Sequence, residues 1–232
     1  MTAQTELPIL FEDGEALIID KPAGLPVDPP RKGGPSLAEH LDHLRLGFQR
    51  QPAPVHRLDT DTSGCLLLAR NPKALKRFAL AFEERRVEKL YFGLLAGEVE
   101  DDYGSVEIPL AKTSTAERGW RMVGSASGKP SVTRWEVLER GDGITALAFR
   151  PVTGRTHQIR IHALEGFGAG LVGDPVYGVS EGAAKRTMLH ARALTVTREK
   201  KPPIHASAPL PADFLNVCRA AGLTDMDRWT AA

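Results

Sequence analysis

Glycine and proline are scattered along this chain, 22 and 17 of them in 232 residues, and together they hold every element to a short run. Proline removes a backbone donor and blocks helix interiors, while glycine admits turns that other residues resist. A coiled coil is excluded on that ground, and the scatter lacks the strict period of collagen. The rest of the composition, 42% hydrophobic and 25% charged, suits a globular core. A chain of this length makes one large domain or two small lobes. No repeat and no linker-like tract divides it, so residues 1–232 read as a single domain. Apolar runs stay short of the roughly 18 residues a membrane span needs. The opening Met1-Thr-Ala-Gln-Thr-Glu6 lacks a basic region followed by an apolar one, so no signal peptide is expected. Cys65 and Cys218 lie far apart without metal-type spacing, which suits a reducing cytosol. With 30 Lys and Arg against 29 Asp and Glu, the net charge of +1 gives no hint of a nucleic-acid partner. Charge alone points to a small-molecule enzyme.

Ile9-Leu-Phe11, Asp13-Gly14 and Ala16-Leu-Ile-Ile19 read as a hairpin. Lys21-Pro-Ala-Gly24 and Val27-Asp-Pro-Pro-Arg31 follow as a proline-rich loop. Ser36 and Glu39 have capping-box spacing and predict a helix with Leu37, Leu41 and Leu44 on its apolar face. Asn71 as N-cap and Pro72 at the first position predict a second helix, with Leu75, Phe78, Ala79 and Phe82 inward. Its Lys73, Lys76, Arg77, Arg85 and Arg86 read as a solvated face, with a phosphate-facing surface as the alternative. Strands are expected over 90–99, 105–110, 131–138, 144–149 and 188–197. A third helix is expected from near Thr156 to about Leu164, and a short one over 214–220. Strands run in consecutive groups, so the class is α+β with a largely antiparallel sheet and flanking helices.

Several motifs carry chemistry or imitate it. Gly168-Ala-Gly170-Leu-Val-Gly173 fits a dinucleotide fingerprint, but a helix precedes it and Asp174-Pro175 follows at once, so it reads as a turn. His157 and His162 are five apart, on different sides of a helix, which argues against a zinc pair. Cys65 and Cys218 read as small core residues. The string His56-Arg-Leu-Asp-Thr-Asp-Thr-Ser-Gly64 runs into the apolar Leu66-Leu-Leu-Ala69, a way to present polar groups at a core edge. Asp59 and Asp61 are its acidic candidates, and turn formation is the competing reading of both. The stretch from Arg150 to His162 gathers Arg155, His157, Gln158 and Arg160 where a strand, a turn and a helix start meet. Such a set suits phosphate or carboxylate binding, with a surface ion-pair patch as the alternative. Tyr91, in Lys89-Leu-Tyr91, fits half-buried packing as well as chemistry.

Taken together these segments resemble the RluA family of pseudouridine synthases, from Ile9 to about Leu210. Phe11-Glu-Asp with Leu17-Ile-Ile-Asp-Lys-Pro-Ala-Gly-Leu25 is similar to the family's opening pattern. His56 to Gly64 meets H-R-L-D-x-x-T-S-G in full, and Thr153 to His162 meets T-G-R-T-H-Q-I-R-x-H. Gly173-Asp-Pro-Val-Tyr-Gly178 and Leu189-His-Ala191 follow in the family's order. The resemblance implies the pseudouridine synthase fold, with a mixed, largely antiparallel sheet and a central active-site cleft. It implies isomerisation of uridine to pseudouridine in ribosomal or transfer RNA by a cytoplasmic monomer, with no metal and no organic cofactor. It makes Asp59 the catalytic aspartate and Asp61 a variable position. Tyr91 becomes the active-site tyrosine, Arg160 the basic partner of the aspartate, and Arg57 the residue that helps displace the target base. His56, Arg155 and His157 are the other expected RNA-binding residues.

The chemistry suits those residue types. A stacked uridine must be flipped out before its glycosidic bond can be exchanged for a carbon–carbon bond, and a guanidinium plane can fill the gap. A carboxylate can act there as nucleophile or as base. Two features depart from relatives: Glu165-Gly-Phe-Gly-Ala-Gly-Leu171 is unusually glycine-rich, and the chain starts almost directly on the catalytic pattern. Target selection is then expected to rest on the catalytic domain itself. Basic residues are expected to collect around the cleft, with Glu98, Glu100, Asp101 and Asp102 elsewhere. Two other classes compete: a non-catalytic RNA-binding or ribosome-assembly factor, and a small-molecule hydrolase using Asp59 and His157.

Overall fold

The computed structural model describes residues 7–115, 119–178 and 184–231. In chain order the first elements are β1 (Ile9–Glu12), β2 (Ala16–Lys21), β3 (Ala53–Pro54), β4 (Ser63–Ala69), α1 (Pro72–Glu83) and β5 (Val87–Ala96). There follow β6 (Tyr103–Val106), β7 (Leu110–Thr115), β8 (Gly119–Gly124), β9 (Thr133–Arg140), β10 (Ile144–Pro151) and α2 (Gln158–Phe167). Last come β11 (Leu189–Val196), β12 (Ile204–Ser207), α3 (Ala212–Ala220) and α4 (Met226–Ala231). The class is α+β. The chain groups into two compact units, Met1–Lys89 with His190–Pro209, and Leu90–Leu189 with Leu210–Ala232. Of the three crossings, two fall inside the strands β5 and β11 and the third between β12 and α3, so no linker composition marks them.

In the first unit β2 pairs antiparallel with β1 and β4, while β11 runs parallel to β4 and antiparallel to β12. The expected hairpin forms because the Asp13 carboxylate accepts the backbone N–H of Glu15 and Ala16, both at 2.8 Å. Helix α1 also forms as expected, with Asn71 Oδ1 accepting the Ala74 N–H at 2.9 Å. Ala74, Phe78 and Ala81 are buried against Ile18, Cys65, Leu67 and Leu194, with Leu75 and Phe82 partly buried beside them. Ala79, expected inward, is exposed. Of the basic residues along this helix, Arg77 pairs with Glu15 at 2.7 Å and Arg86 with Glu84 at 2.7 Å.

The helix expected from Ser36 does not form. Leu37–His40 and His43–Arg45 are separate 3-10 turns, and Ser36 makes no side-chain cap bond. Leu37 and Leu44 still reach the core. Without its cap bond, a stretch this brief cannot sustain the cooperative α-helical ladder.

In the second unit β10 pairs antiparallel with β5 and β9, and β6 forms the far edge on β9. Leu95, Leu147 and Phe149 pack with Ile159 and Ala163 of α2, while Leu94, Ala146 and Ala148 pack with Phe214, Val217 and Cys218 of α3. Burial on both faces explains why β5 and β10 read as near-continuous apolar runs. The strand expected over 105–110 is broken before Pro109, which cannot donate to a ladder, and β7 pairs with β8 as a separate ribbon. Helix α4 and the short strands β3, β8 and β12 were not expected. Both cysteines are core residues, as expected, and burial pushes each thiol up to about 12.

Candidate active site

The first unit presents the string from His56 to Gly64 as a loop and turn that leads into β4. Asp59 sits there half-buried, and its carbonyl accepts the Thr62 N–H at 3.1 Å, which closes the turn. The carbonyl of the next residue, Thr60, accepts from Gly24 N–H at 2.9 Å and from Lys21 Nζ at 3.1 Å. Lys21 is fully buried and also donates to the carbonyls of Pro22 and Leu25, each at 2.8 Å. A buried ammonium needs such partners, and here they lock the Lys21–Leu25 loop to the residue beside Asp59.

Below the turn, Gly64 has φ +106, and a Cβ on it would lie 2.2 Å from the carbonyl oxygen of Ala191. Only glycine lets β4 approach β11 there. The pairing sets His190 opposite Ser63, and its Nδ1 lies 2.9 Å from Ser63 Oγ. Arg57 is exposed and pairs with Asp28 at 2.6 Å.

His56 is held differently from a phosphate ligand. Its Nε2 accepts the Leu67 N–H at 3.0 Å, and its ring stacks on Phe82 with centroids 4.7 Å apart. Burial, with Lys89 nearby, pushes its pKa down to about 3, so it stays neutral. Between pH 6.5 and 3 the unfolded chain therefore binds a proton that the folded chain refuses. Stability is expected to fall as pH drops through that window, by up to about 1.4 kcal/mol per pH unit from this group. Urea titrations of wild type and His56→Asn from pH 7 to 4 check it: the variant should lack that part of the slope. Equal slopes would remove His56 as the cause.

The second unit presents Tyr91, Arg155, His157 and Arg160. Tyr91 lies on β5 opposite Phe149 and is partly buried in the α2-facing core. The buried amide of Gln158 organises the turn before α2. Its Oε1 accepts from Thr153 Oγ1 at 2.7 Å and Arg155 N–H at 2.9 Å, and its Nε2 donates to Val132 O at 3.0 Å and Thr133 Oγ1 at 2.9 Å. His162 continues this network to Thr133 Oγ1 and Ile108 O, and burial lowers its pKa, so it is a core histidine. Arg155, by contrast, reaches outward along the turn, its Nε 3.4 Å from Pro130 O.

Arg160 stands in the first turn of α2 and is fixed on two sides. Its Nε and Nη2 meet the fully buried Asp174 carboxylate at 2.6 and 2.8 Å, and its guanidinium lies 5.0 Å from the Tyr177 ring centre. Asp174 also accepts the backbone N–H of Val176 and Tyr177. Burial would raise its pKa, but Arg160 and those amides outweigh that and hold it below the usual carboxylate range. The Tyr177 hydroxyl accepts the Met122 N–H at 3.0 Å and sits 3.0 Å from His157 Nδ1. His157 caps α2 at φ 55, an uncommon conformation for a side chain of this size, and Trp120 of β8 meets its ring edge-on at 5.4 Å. Asp174, Tyr177 and Trp120 were missed as site residues. The first two sat inside a quoted motif, and the signal available was an acid and an aromatic following a glycine turn.

That turn is the glycine-rich decoy. Helix α2 ends at Gly168 (φ +69), and a Cβ on Gly170 would meet the Tyr177 carbonyl oxygen at 2.2 Å. The glycines let two backbone segments approach, and the next element among the described residues is the strand β11.

A model of the RNA pseudouridylate synthase family matches residues 15–165. The chain belongs to this family. A Zymomonas mobilis protein described as an uncharacterized RNA pseudouridine synthase is 50% identical over 210 residues, 90% of this chain and 96% of that protein. The dual-specificity RNA pseudouridine synthase RluA of Escherichia coli is 34% identical over 217 residues, 90% of this chain and 94% of that one. Among solved structures, human RNA pseudouridylate synthase domain containing 1 has a TM-score of 0.76 at 30% identity, covering 91% of this chain and 87% of its own. As an RNA pseudouridine synthase the protein is an isomerase. The inference from net charge to a small-molecule enzyme is thereby overturned, because RNA affinity follows the phosphates neutralised locally and not the whole-chain balance. Among the described residues no helix is long and apolar enough to cross a membrane.

Proposed function

We propose that this pseudouridine synthase modifies uridines of ribosomal or transfer RNA in the cytoplasm, as a monomer, with Asp59 as its catalytic carboxylate. The observation that carries the assignment is the turn that holds Asp59, pinned through the Thr60 carbonyl by buried Lys21 and by Gly24. Thr60 lies between Asp59 and Asp61, so this anchorage serves both, and Asp59 is preferred because it stands at the fixed aspartate of H-R-L-D-x-x-T-S-G and Asp61 at a variable position. The RNA classes are supported by the E. coli relative's description as dual-specificity and by a Nitrosomonas europaea ribosomal large subunit pseudouridine synthase D, 37% identical over 227 residues.

In this reading Asp59 initiates cleavage of the N1–C1′ bond, the uracil turns, and a C5–C1′ bond forms. The C5 proton passes to solvent and N1 takes one up, so the product is an isomer of the substrate. Tyr91 stacks on the base and its hydroxyl serves the proton leaving C5. Arg160 is the basic residue of the site in this reading, and Asp174 fixes its orientation. Arg57 is the exposed guanidinium suited to fill the gap left by a flipped base, exchanging its weak surface contact with Asp28 for RNA. Arg155 and His157 contact RNA at the start of α2, whereas neutral His56 supports the loop from behind.

Tritium release from C5-labelled uridine in RNA from a strain lacking the gene tests the reading. Release matched one-for-one by carbodiimide-detected pseudouridines is expected, and the mapped positions name the target. RNA binding without release at saturating enzyme would overturn it in favour of the assembly-factor class, for which an anchored carboxylate facing phosphates is only a liability.

A further inference from the structure

At the far edge of the second unit's sheet, on the face away from α2, an open groove of about 460 Å³ is lined by Tyr103, Ser105, Arg134, Glu136 and Arg150. The register places Arg134 of β9 directly opposite Ser105 of β6 on one side and Arg150 of β10 on the other. Two arginines facing each other across adjacent strands repel, since side chains of directly opposed residues point the same way about 5 Å apart. A sheet that carries such a pair loses stability unless something anionic lies between them. Arg134 has no ion-pair partner among the described residues, and Arg150 has only an exposed contact with Glu136 at 3.1 Å. Exposed pairs of that kind contribute little and exchange readily for phosphate. Beside them Tyr103, at the start of the edge strand, is 78% exposed and makes no ring contact among the described residues. The opposite face of the same strands is filled: Trp135 packs on Phe167 at 5.0 Å. Further along the groove's own face, α3 covers Ala146 and Ala148.

We propose that this face is a second RNA-contact site, holding an unpaired nucleotide with its base stacked on Tyr103 and flanking phosphates on Arg134 and Arg150. An exposed aromatic ring beside two guanidiniums, one of them without an ion pair among the described residues and the other held only by an exposed carboxylate, is the arrangement that single-stranded nucleic acid recognises, because every base has a face to stack and every nucleotide a charge to neutralise. The site rests on the RNA-substrate reading but shares no residue with the machinery assigned above. It would extend recognition beyond the target uridine.

The test uses a fluorescein-labelled twelve-nucleotide oligoadenylate, which contains no uridine and so does not engage the catalytic step. Anisotropy titrations between 50 and 200 mM salt compare wild type, Tyr103→Ala, Tyr103→Phe and Arg134→Gln with Arg150→Gln. Roughly tenfold weaker binding is expected for Tyr103→Ala, with Tyr103→Phe near wild type. The double glutamine variant should lower the salt slope by about 1.4, two phosphates at about 0.7 each. Its melting temperature should not fall, because a like-charge pair is removed. Asp59→Asn should bind the oligoadenylate as wild type does. Unchanged affinity and salt slope in the groove variants would overturn the site, as would competition by an oligoglutamate peptide as effective as RNA, which would make the face a peptide site. Pseudouridine formation by the wild type, measured separately, distinguishes failure of this site from failure of the enzymatic reading.

Discussion

Asp59→Asn is expected to abolish pseudouridine formation, with kcat down by at least about a thousandfold, while folding and RNA binding stay near wild type. The size follows from the group removed: an amide has neither the charge nor the basicity that opening a glycosidic bond demands. Asparagine keeps the shape of the side chain, and the backbone bonds of the turn, from Thr62 N–H to Asp59 O and from Lys21 and Gly24 to Thr60 O, do not involve the carboxylate. Single-turnover assays on unmodified RNA with tritium release at C5 check it, alongside gel-shift affinity and thermal melting. Asp61→Asn is the control and should retain most activity. A reversed pattern, with Asp61→Asn dead and Asp59→Asn active, would move the assignment two residues along the same string.

Asp174→Asn is expected to cost about 3–5 kcal/mol of stability, because it removes the charge that the buried Arg160 guanidinium is bonded to. Asp174 is fully buried and Arg160 nearly so, and two of the fork's nitrogens bond to the two carboxylate oxygens. Asparagine can replace one of those acceptors but not the charge. Urea unfolding at neutral pH reads the loss directly. Activity should fall further than the unfolded fraction accounts for, because Arg160 loses its orientation. Arg160→Lys separates the two effects: it keeps a charge for Asp174 but not the planar fork, so stability should recover in part while kcat stays low. The wild-type pair also carries an acid limit. Because Asp174 titrates below its ordinary value, the stabilisation it provides is present at neutral pH and is lost as pH falls through that lowered value.

Elements with their own local reasons were legible in the sequence. Helix α1 has its cap at Asn71, its proline at Pro72 and an apolar stripe, and all three act within a few residues of each other. The hairpin of β1 and β2 is closed by Asp13, again a local bond. The capping-box spacing at Ser36 failed because spacing is not a bond: the serine makes no cap, and the buried leucines are satisfied by two 3-10 turns instead. Ala79 was misplaced for a related reason, since the helix buries the Ala74, Phe78 and Ala81 stripe, one step around from the expected face.

The site divides the same way. Its chemistry could be read because the reacting types stand in contiguous strings, His56 to Gly64 and Thr153 to His162, whose order alone marks the family. Composition, by contrast, misled, since a balanced total charge says nothing about where the charges sit. What the linear chain could not decide is which groups hold those strings in place. The carbonyls that accept Lys21, the carboxylate that takes Arg160 and the arginine that faces Arg134 are chosen by strand register and by turns that return distant segments to one another. Those pairings carry no local signature, because burial and register are properties of the folded chain and not of any stretch within it.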